Sequence, residues 1–445
     1  MGREEEIIKE REKKISELRK KGINPYANRF DKKDSVKGCL KAKLGTKVKT
    51  AGRVMTKREI GKIIFSNLQD FSGKIQIVLQ GKETPAKDFD FFKRYIDIGD
   101  IIGIEGKTIK TKTGEKSVLV KKLTLLTKSL LPLPSKWHGL QDKEERYRKR
   151  YLDLIMNPEV KKVFEKKAKV IKALRNFLLK KDFIEVTTPT LQPIPGGALA
   201  KPFKTHYNIY KEDVYLRIAP ELYLKKLIIG GFEKVFEFAE CFRNEGADWS
   251  HNPEFTILEF YQAYIDYEDL MRFTEDLIID AIKKVNGKAE IKKGKETIRI
   301  KKPFKRITFE KLTKGKMSDE IFKEEIRKLK EPTFVINHPF EISPLAKKKD
   351  KKTVQRFQLV IGGLELVNAY SELNDPFDQK KRFNEQAKKK EGEKHEYDKD
   401  FVKALEYGMP PTGGWGFGVD RFAMLLTDSP SIRDVTLFPF MKLEK

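Results

Sequence analysis

Residues 234–264 read KVFEFAECFRNEGADWSHNPEFTILEFYQAY. The flanks KVFEFAECF and EFTILEFYQAY are strand-like, and the polar run FRNEGADWSHNPEF (242–255) between them predicts a strand–loop–strand hairpin. That run gathers Arg243, Glu245, His251 and Phe255 into one loop. Arginine's planar fork grips a phosphate or a carboxylate, a carboxylate accepts from an exocyclic amine, and a phenylalanine stacks on a base. Together these groups describe a nucleoside triphosphate site. They also describe an ordinary ion-paired surface hairpin, and other segments decide between the two.

Two segments nearer the C-terminus do so. GGWGFGVDRFAML (413–425) puts glycines where backbone must approach closely, then opens a helix with Asp420 and Arg421 in its first turn. The helix dipole disfavours a cation there, so Arg421 implies an anion to hold. ELVNAYSELNDP (365–376) reads as a strand carrying Glu365, Asn368, Tyr370 and Glu372, the last three on one face. A carboxylate on a buried face needs a partner. Upstream, KVFEKKAKVIKALRNFLLKKDF (162–183) is a long amphipathic helix followed by a strand, IEVTTP. Further strand-like runs are DVYLRIAP, TFVINHP, RFQLVIGGLELVNAY and WGFGVD. Strands in this number with helices before and between them predict an α+β domain built on a mostly antiparallel sheet. Neither GxxxxGK[ST] nor GxGxxG follows a strand, so the two commonest phosphate-binding folds are poor candidates.

The N-terminal part differs. Its first 22 residues predict a charged helix with Ile7, Ile8, Ile15 and Leu18 on a narrow stripe, suited to docking on that stripe or to lying along a nucleic-acid backbone. From about Lys47 the apolar period is two, and five strands with a helix between the third and fourth give the OB-fold pattern. Phe65 and Gln76 fall on neighbouring strands among Arg53, Lys57 and Arg58, which suits a groove that stacks bases, or a plain barrel with a core phenylalanine. LPLPSKWHGLQDKEERYRKRYLD (131–153) reads as a linker running into a helix. The expected organisation is a helix at 1–28, an OB-fold β-barrel at 29–128, a linker at 129–150 and the α+β domain at 151–445.

Composition agrees. Lys plus Arg number 93 against 66 Asp plus Glu, a formal net charge of +27 that favours an anionic partner such as nucleic acid. Cys39 and Cys241 form no CxxC pair, which argues against a disulfide framework or a structural zinc site and fits a reducing cytoplasm. No apolar run is long enough to span a bilayer, and MGREEEIIKEREKK is unlike a signal peptide.

On these segments, together with HGLQDKEERYRKRYLDL, VTTPTLQPIPGGALAKPF and RIAPELYLKKLIIGGFEKVFEFAECF, the chain resembles the class II aminoacyl-tRNA synthetases, and among them the lysyl-tRNA synthetase family. Residues 164–191 resemble the first, dimer-forming motif, 242–255 lie in the second, and 416–421 carry the third. The resemblance implies activation of L-lysine by ATP with Mg²⁺, transfer to tRNA(Lys), and a homodimer. It gives Arg243 to the α-phosphate and the amino-acid carboxylate, Glu245 to the adenine amine, Phe255 to the adenine ring, and His251 and Arg421 to the outer phosphates. Asn252 and Glu365 complete the ATP set. Glu372 and Tyr261 take the ε-amine, Glu221 and the Gly197 backbone take the α-amine, and Glu259, Asn368 and Tyr370 line the pocket. Phe65, Gln76 and Glu115 go to the anticodon bases. The family's reaction is positioning and charge stabilisation, so no side-chain nucleophile is expected.

One position departs from the family. RFQLVIGGLE carries Gln358 where the family has a metal-binding glutamate, while Glu365 is kept. An amide is a weaker Mg²⁺ ligand than a carboxylate. Among rivals, an aspartyl- or asparaginyl-type enzyme would want a cationic side-chain pocket, against Glu259 and Glu372. An enzyme that lysylates an elongation factor would lack the OB domain, and an inactive relative would not be expected to keep Arg243, Glu245, His251 and Arg421 together.

Overall fold

The computed structural model describes residues 2–134, 140, 142–198, 200–389 and 398–442, so residues 135–139 and 141 of the expected linker lie outside the described residues. The chain forms two compact units, Met1–Gln141 and Asp142–Lys445.

In the first unit the helix Arg3–Lys20 docks on its stripe, with Ile15 and Leu18 buried. Arg11 is buried too, and its guanidinium donates to the carbonyls of Ile98 at 2.8 Å and Leu131 at 2.9 Å. Strands Lys47–Ile60, Ile63–Asp70, Gly73–Gln80, Ile101–Lys110 and Lys116–Thr127 close a barrel in the order first, second, third, fifth, fourth, with helix Ala86–Tyr95 between the third and fourth. Closure leaves no open sheet edge. Alternation puts Ile64, Ser66 and Leu68 inside with Ile75, Ile77 and Leu79. Phe65 and Gln76 consequently lie on the outer face, opposite Val78 and Asn67 respectively. Two of the cations expected beside them are otherwise engaged. Lys57 Nζ donates to the carbonyls of Phe92, Lys93 and Ile96 at the end of the helix, and Arg53 Nη1 donates to Gly99 O at 2.7 Å. Both hold backbone, and of the three only Arg58 is exposed.

The second unit is built on an eight-stranded sheet ordered Lys305–Thr308, Thr333–Ile336, Arg356–Ile361, Leu364–Ser371, Thr412–Gly418, Glu254–Ala263, Lys234–Phe242 and Ile184–Glu185. The inner pairings are antiparallel and the outermost pair at each edge is parallel. One face is apolar: Phe260, Trp415, Phe417, Phe357 and Ala369 pack with Leu174 and Leu178 of helix Pro158–Leu179 and with Leu270 and Leu277 of helix Tyr267–Asn286. The latter helix starts on a capping box between Asp266 and Asp269 and ends at Gly287 in the left-handed region. The run DVYLRIAP contributes its strand, Glu212–Leu216, to a separate three-stranded sheet rather than to the main one. Residues 311–330 pack against the sheet. Phe309, Leu312, Phe322 and Ile326, on helices Phe309–Thr313 and Asp319–Arg327, form a satellite core with Val335 and Val360 of the sheet.

A buried strut holds the hairpin strand. Arg217 and Glu237 are 4% and 2% exposed, and Arg217 Nη1 lies 2.5 Å from Glu237 Oε1. The other oxygen of Glu237 accepts from Thr188 N and Oγ1, while Arg217 Nε donates to Glu240 O. Removing one member strands the other charge in the interior. Glu237→Ala is therefore expected to destabilise the Asp142–Lys445 unit by about 3–5 kcal/mol, measured as a shift in its urea unfolding midpoint; a change below about 1 kcal/mol would mean that the pair is not a strut.

Candidate active site

The other face of the same sheet is polar because the strands alternate. In strand Thr412–Gly418, Trp415 and Phe417 point into the core, and Gly414, Gly416 and Gly418 form the floor of a cavity of about 490 Å³. Register sets what stands beside each glycine. Tyr261 and Tyr370 flank Gly414, and Glu259 and Asn368 flank Gly416. A Cβ at Gly414 would lie 1.8 Å from Glu372 Oε1 and 2.7 Å from Tyr261 Cε1, so glycine is required there by space. Gly197, at φ +85°, closes over Glu221: a Cβ there would be 2.9 Å from the Glu221 Cβ.

At one end of the floor the groups are cationic. Strands Lys234–Phe242 and Glu254–Ala263 meet at the pair Phe242 and Glu254, which brings Arg243 and Phe255 to the mouth of the hairpin. The Arg243 guanidinium lies over the Phe255 ring, 5.1 Å from its centroid, and its buried Nε has no hydrogen-bond partner among the described residues. Arg421, in the first turn of helix Val419–Thr427, reaches His251 Nε2 at 3.2 Å. A guanidinium only donates, so Nε2 accepts and the proton sits on Nδ1, which donates to Asp248 at 2.8 Å. Burial works against charge on Asp248, yet Ser250 N and His251 hold its carboxyl down at about 2. Beside Arg421, Asp420 accepts from Thr256 N at 2.8 Å and pairs with Lys167 at 2.5 Å. Glu245 is exposed at the rim, and Asn252 is buried with its amide donating to Glu254 O at 2.6 Å.

At the other end the groups are anionic. Glu221, Glu259 and Glu372 are 5%, 7% and 1% exposed. Tyr370 donates to Glu221 at 2.7 Å and Tyr261 to Glu259 at 3.1 Å. Burial first, then the neighbouring Glu221 carboxylate, pushes the Glu259 carboxyl up to about 8. Burial likewise raises Glu372 well above the carboxylate range, although Lys225 pulls the other way. A buried carboxylate cluster of this kind is complete only with added positive charge. Glu372 Oε1 is buried without a hydrogen-bond partner among the described residues.

Glu365 joins the site through an irregularity. Its strand is in register at Val367 opposite Leu359 and again at Glu365 opposite Val360, so Leu366 is an extra residue. The bulge turns Glu365 to the same face as Gln358, whose amide donates to Glu365 Oε1 at 2.7 Å. Glu365 Oε2 is 3.9 Å from Arg421 Nη1.

The cavity is thus lined by Gly197, Glu221, Arg243, Glu245, His251, Asn252, Phe255, Glu259, Tyr261, Glu365, Asn368, Tyr370 and Arg421. Glu372 and Gln358 are buried just beneath this lining. Phe65, Gln76 and Glu115 belong to the other unit, where Gln76 Nε2 donates to Glu115 at 2.7 Å and Gln76 Oε1 accepts from Ser117. Sequence reasoning missed the groups that orient the site: Asp248 behind His251, Arg356 holding Asn368 Oδ1 at 2.9 Å, and Lys225 between Glu221 and Glu372. Asp248 and Lys225 are local to their partners, three residues before His251 and four after Glu221 on helix Glu221–Ile229, whereas Arg356 is not.

Comparison with known proteins agrees with this geometry. The family model described as tRNA synthetases class II (D, K and N) matches residues 142–442, and that described as an OB-fold nucleic acid binding domain matches residues 48–126. A lysine–tRNA ligase of Pelotomaculum thermopropionicum is 47% identical over 99% of this chain and 96% of its own length. Those of Thermotoga maritima and Aquifex aeolicus are 44% and 47% identical, over 99% and 89% of this chain and 97% and 73% of their own lengths. With both units matched in order and the sheet, hairpin and glycine strand in place, the chain belongs to the lysine–tRNA ligase family of class II tRNA synthetases.

Proposed function

We propose that the protein joins L-lysine to ATP, forming lysyl-adenylate and pyrophosphate, and then passes the lysyl group to the 3′ end of tRNA(Lys). The observation that carries this reading is the sorting of charge along one glycine floor, with Arg243, whose buried Nε has no hydrogen-bond partner among the described residues, at one end and a cluster of buried carboxylates at the other. Lysine has the complementary order, a carboxylate at one end and an ammonium at the other. An aspartate side chain would bring a further anion to three buried carboxylates whose nearest cation, Lys225, is already paired with Glu221 and Glu372.

In this reading Arg243 holds the α-phosphate and the lysine carboxylate together, so that a carboxylate oxygen attacks the α-phosphorus in line. The bond to the bridging oxygen of pyrophosphate breaks as the new one forms, and Arg421 and His251 receive the charge of the departing phosphates. Positioning and a preorganised field carry such a transfer, and no proton need move to or from the nucleophile. Adenine on Phe255 extends the stack already begun by Arg243, with Glu245 accepting from its amine and Asn252 bracing the loop. Glu372 and Tyr261 take the ε-ammonium, and Glu221 with the Gly197 backbone takes the α-ammonium. Glu259, Asn368 and Tyr370 complete the wall.

Mg²⁺ accompanying a triphosphate takes few protein ligands and the rest from phosphate and water. Glu365, on the cavity wall, fits that modest demand, and Gln358, whose amide nitrogen now donates to Glu365 Oε1, would add its oxygen on rotation of the amide. When bound there, the ion neutralises phosphate charge. Phe65, Gln76 and Glu115, on the outer face of the barrel, are suited to stacking and base-edge contacts with an anticodon. A homodimer through the first motif is supported by Leu179, Ile184 and Leu191, large apolar side chains that stay exposed along that run. No helix among the described residues is long and apolar enough to cross a membrane, and we place the enzyme in the cytoplasm with its tRNA.

Arg243→Ala is expected to lower lysine-dependent ATP–pyrophosphate exchange by about 10²–10³-fold or more and to leave tRNA affinity within about twofold, since the anticodon contacts lie in the other unit. A comparable loss of tRNA binding would overturn the division of labour. Gln358→Glu is expected to lower the Mg²⁺ concentration needed for half-maximal exchange, and an unchanged or higher requirement would remove Gln358 from the metal's surroundings.

A further inference from the structure

Lys225 is wholly buried, on helix Glu221–Ile229, one turn beyond Glu221. Its ammonium lies 2.5 Å from Glu221 Oε1 and 2.5 Å from Glu372 Oε2, with the rings of Tyr370 and Phe401 each 5.7 Å away. The two carboxylates come from elements far apart in sequence, and this one ammonium touches both. It donates a hydrogen bond to Glu221 Oε1 and forms an ion pair with Glu372 Oε2 whose alignment is not that of a hydrogen bond. Glu221 Oε1 is saturated by Lys225 and the Tyr370 hydroxyl, while Glu221 Oε2 faces Gly197, 3.7 Å from where a Cβ would stand. The remaining oxygen of Glu372 lies under Gly414 with no hydrogen-bond partner among the described residues.

We propose that Lys225 is a specificity-determining positioning residue that fixes the separation of Glu221 and Glu372, and with it the length of diamino acid the pocket accepts. The inference rests on the lysine-pocket reading above, in which the free oxygens of these two carboxylates receive the α- and ε-ammonium groups. Lys225 does not touch the substrate. It ties the bound oxygens of the pair to one nitrogen, so that neither carboxylate can follow a shorter substrate inward without leaving its counter-charge in a dry interior. Its charge also offsets part of the carboxylate cluster before any substrate arrives, and a diamino acid shorter by one methylene cannot reach both free oxygens.

The test is ATP–pyrophosphate exchange by the full chain with lysine and with ornithine, the homologue shorter by one methylene, for the unmodified protein, Lys225→Met and Lys225→Arg. Lys225→Met keeps the straight side chain and removes the charge; Lys225→Arg keeps the charge and lengthens the spacer. Each variant is expected to raise the KM for lysine while leaving the KM for ATP within about twofold, and to lower the lysine-to-ornithine ratio of kcat/KM by at least about 10-fold, the scale of one-methylene discrimination. Thermal melting establishes which variants are folded, and if Lys225→Met is not, Lys225→Arg, which retains the buried counter-charge, carries the reading. A folded variant with an unchanged ratio overturns the proposal, whether its activity with lysine falls or persists. Absence of lysine-dependent exchange in the unmodified protein would instead remove the lysine pocket itself, so the two failures are distinguishable.

Discussion

Gly414 has no side chain because Glu372 fills the space a Cβ would take, with an oxygen 1.8 Å from that position. The rest of the site depends on this constraint and on its repetition along strand Thr412–Gly418. Glycine on one face lets polar side chains from both neighbouring strands converge over bare backbone. Trp415 and Phe417 on the other face anchor the strand, stacked on each other at 5.2 Å, and Trp415 Nε1 donates to Thr274 of the covering helix at 2.9 Å. A strand with no side chains on its functional face has little to hold it there. Its position is fixed from behind, by aromatic packing, and from the sides, by backbone pairing to Glu254–Ala263 and Leu364–Ser371.

In the proposed reading, substrate completes the charges on this floor. Uncompensated burial of three carboxylates would cost several kcal/mol for each ion, which the protein avoids in two ways. Lys225 neutralises part of the cluster permanently, and burial keeps Glu259 a proton acceptor up to about 8, so that its carboxyl is largely neutral near pH 7 until a cation arrives. The cationic end follows the same logic. Asp248 fixes the His251 tautomer, and His251 accepts from Arg421, so the guanidinium and the ring orient each other before any phosphate does. In the proposed reading, recognition at both ends exchanges internal partners for substrate rather than creating charge in a dry site.

Much of this was legible in the sequence because it is local. The hairpin, the alternating glycine strand and the helix that carries Arg421 in its first turn are each written in a single run, and the face shared by Asn368 and Tyr370 follows from a period of two. The barrel's strand order likewise follows from periodicity and turns. What was not legible depends on tertiary pairing. Glu365 reaches the face of Gln358 only because Leu366 is an extra residue, and nothing in LELVN marks a bulge. Lys57 and Arg53 looked like groove cations, whereas unpaired carbonyls at a helix end and at Gly99 claim them. Arg217 and Glu237 meet across a sheet and a loop, so neither residue announces the other.

The central claim is that a carboxylate-lined pocket and an arginine-gripped triphosphate act on one amino acid at a time, with lysine the one that fits. Amino-acid-dependent ATP–pyrophosphate exchange, run with lysine, aspartate and asparagine at ample Mg²⁺, tests it most directly. The account predicts exchange with lysine and none above background with the other two. Exchange driven by aspartate or asparagine, or no exchange with lysine, would contradict it.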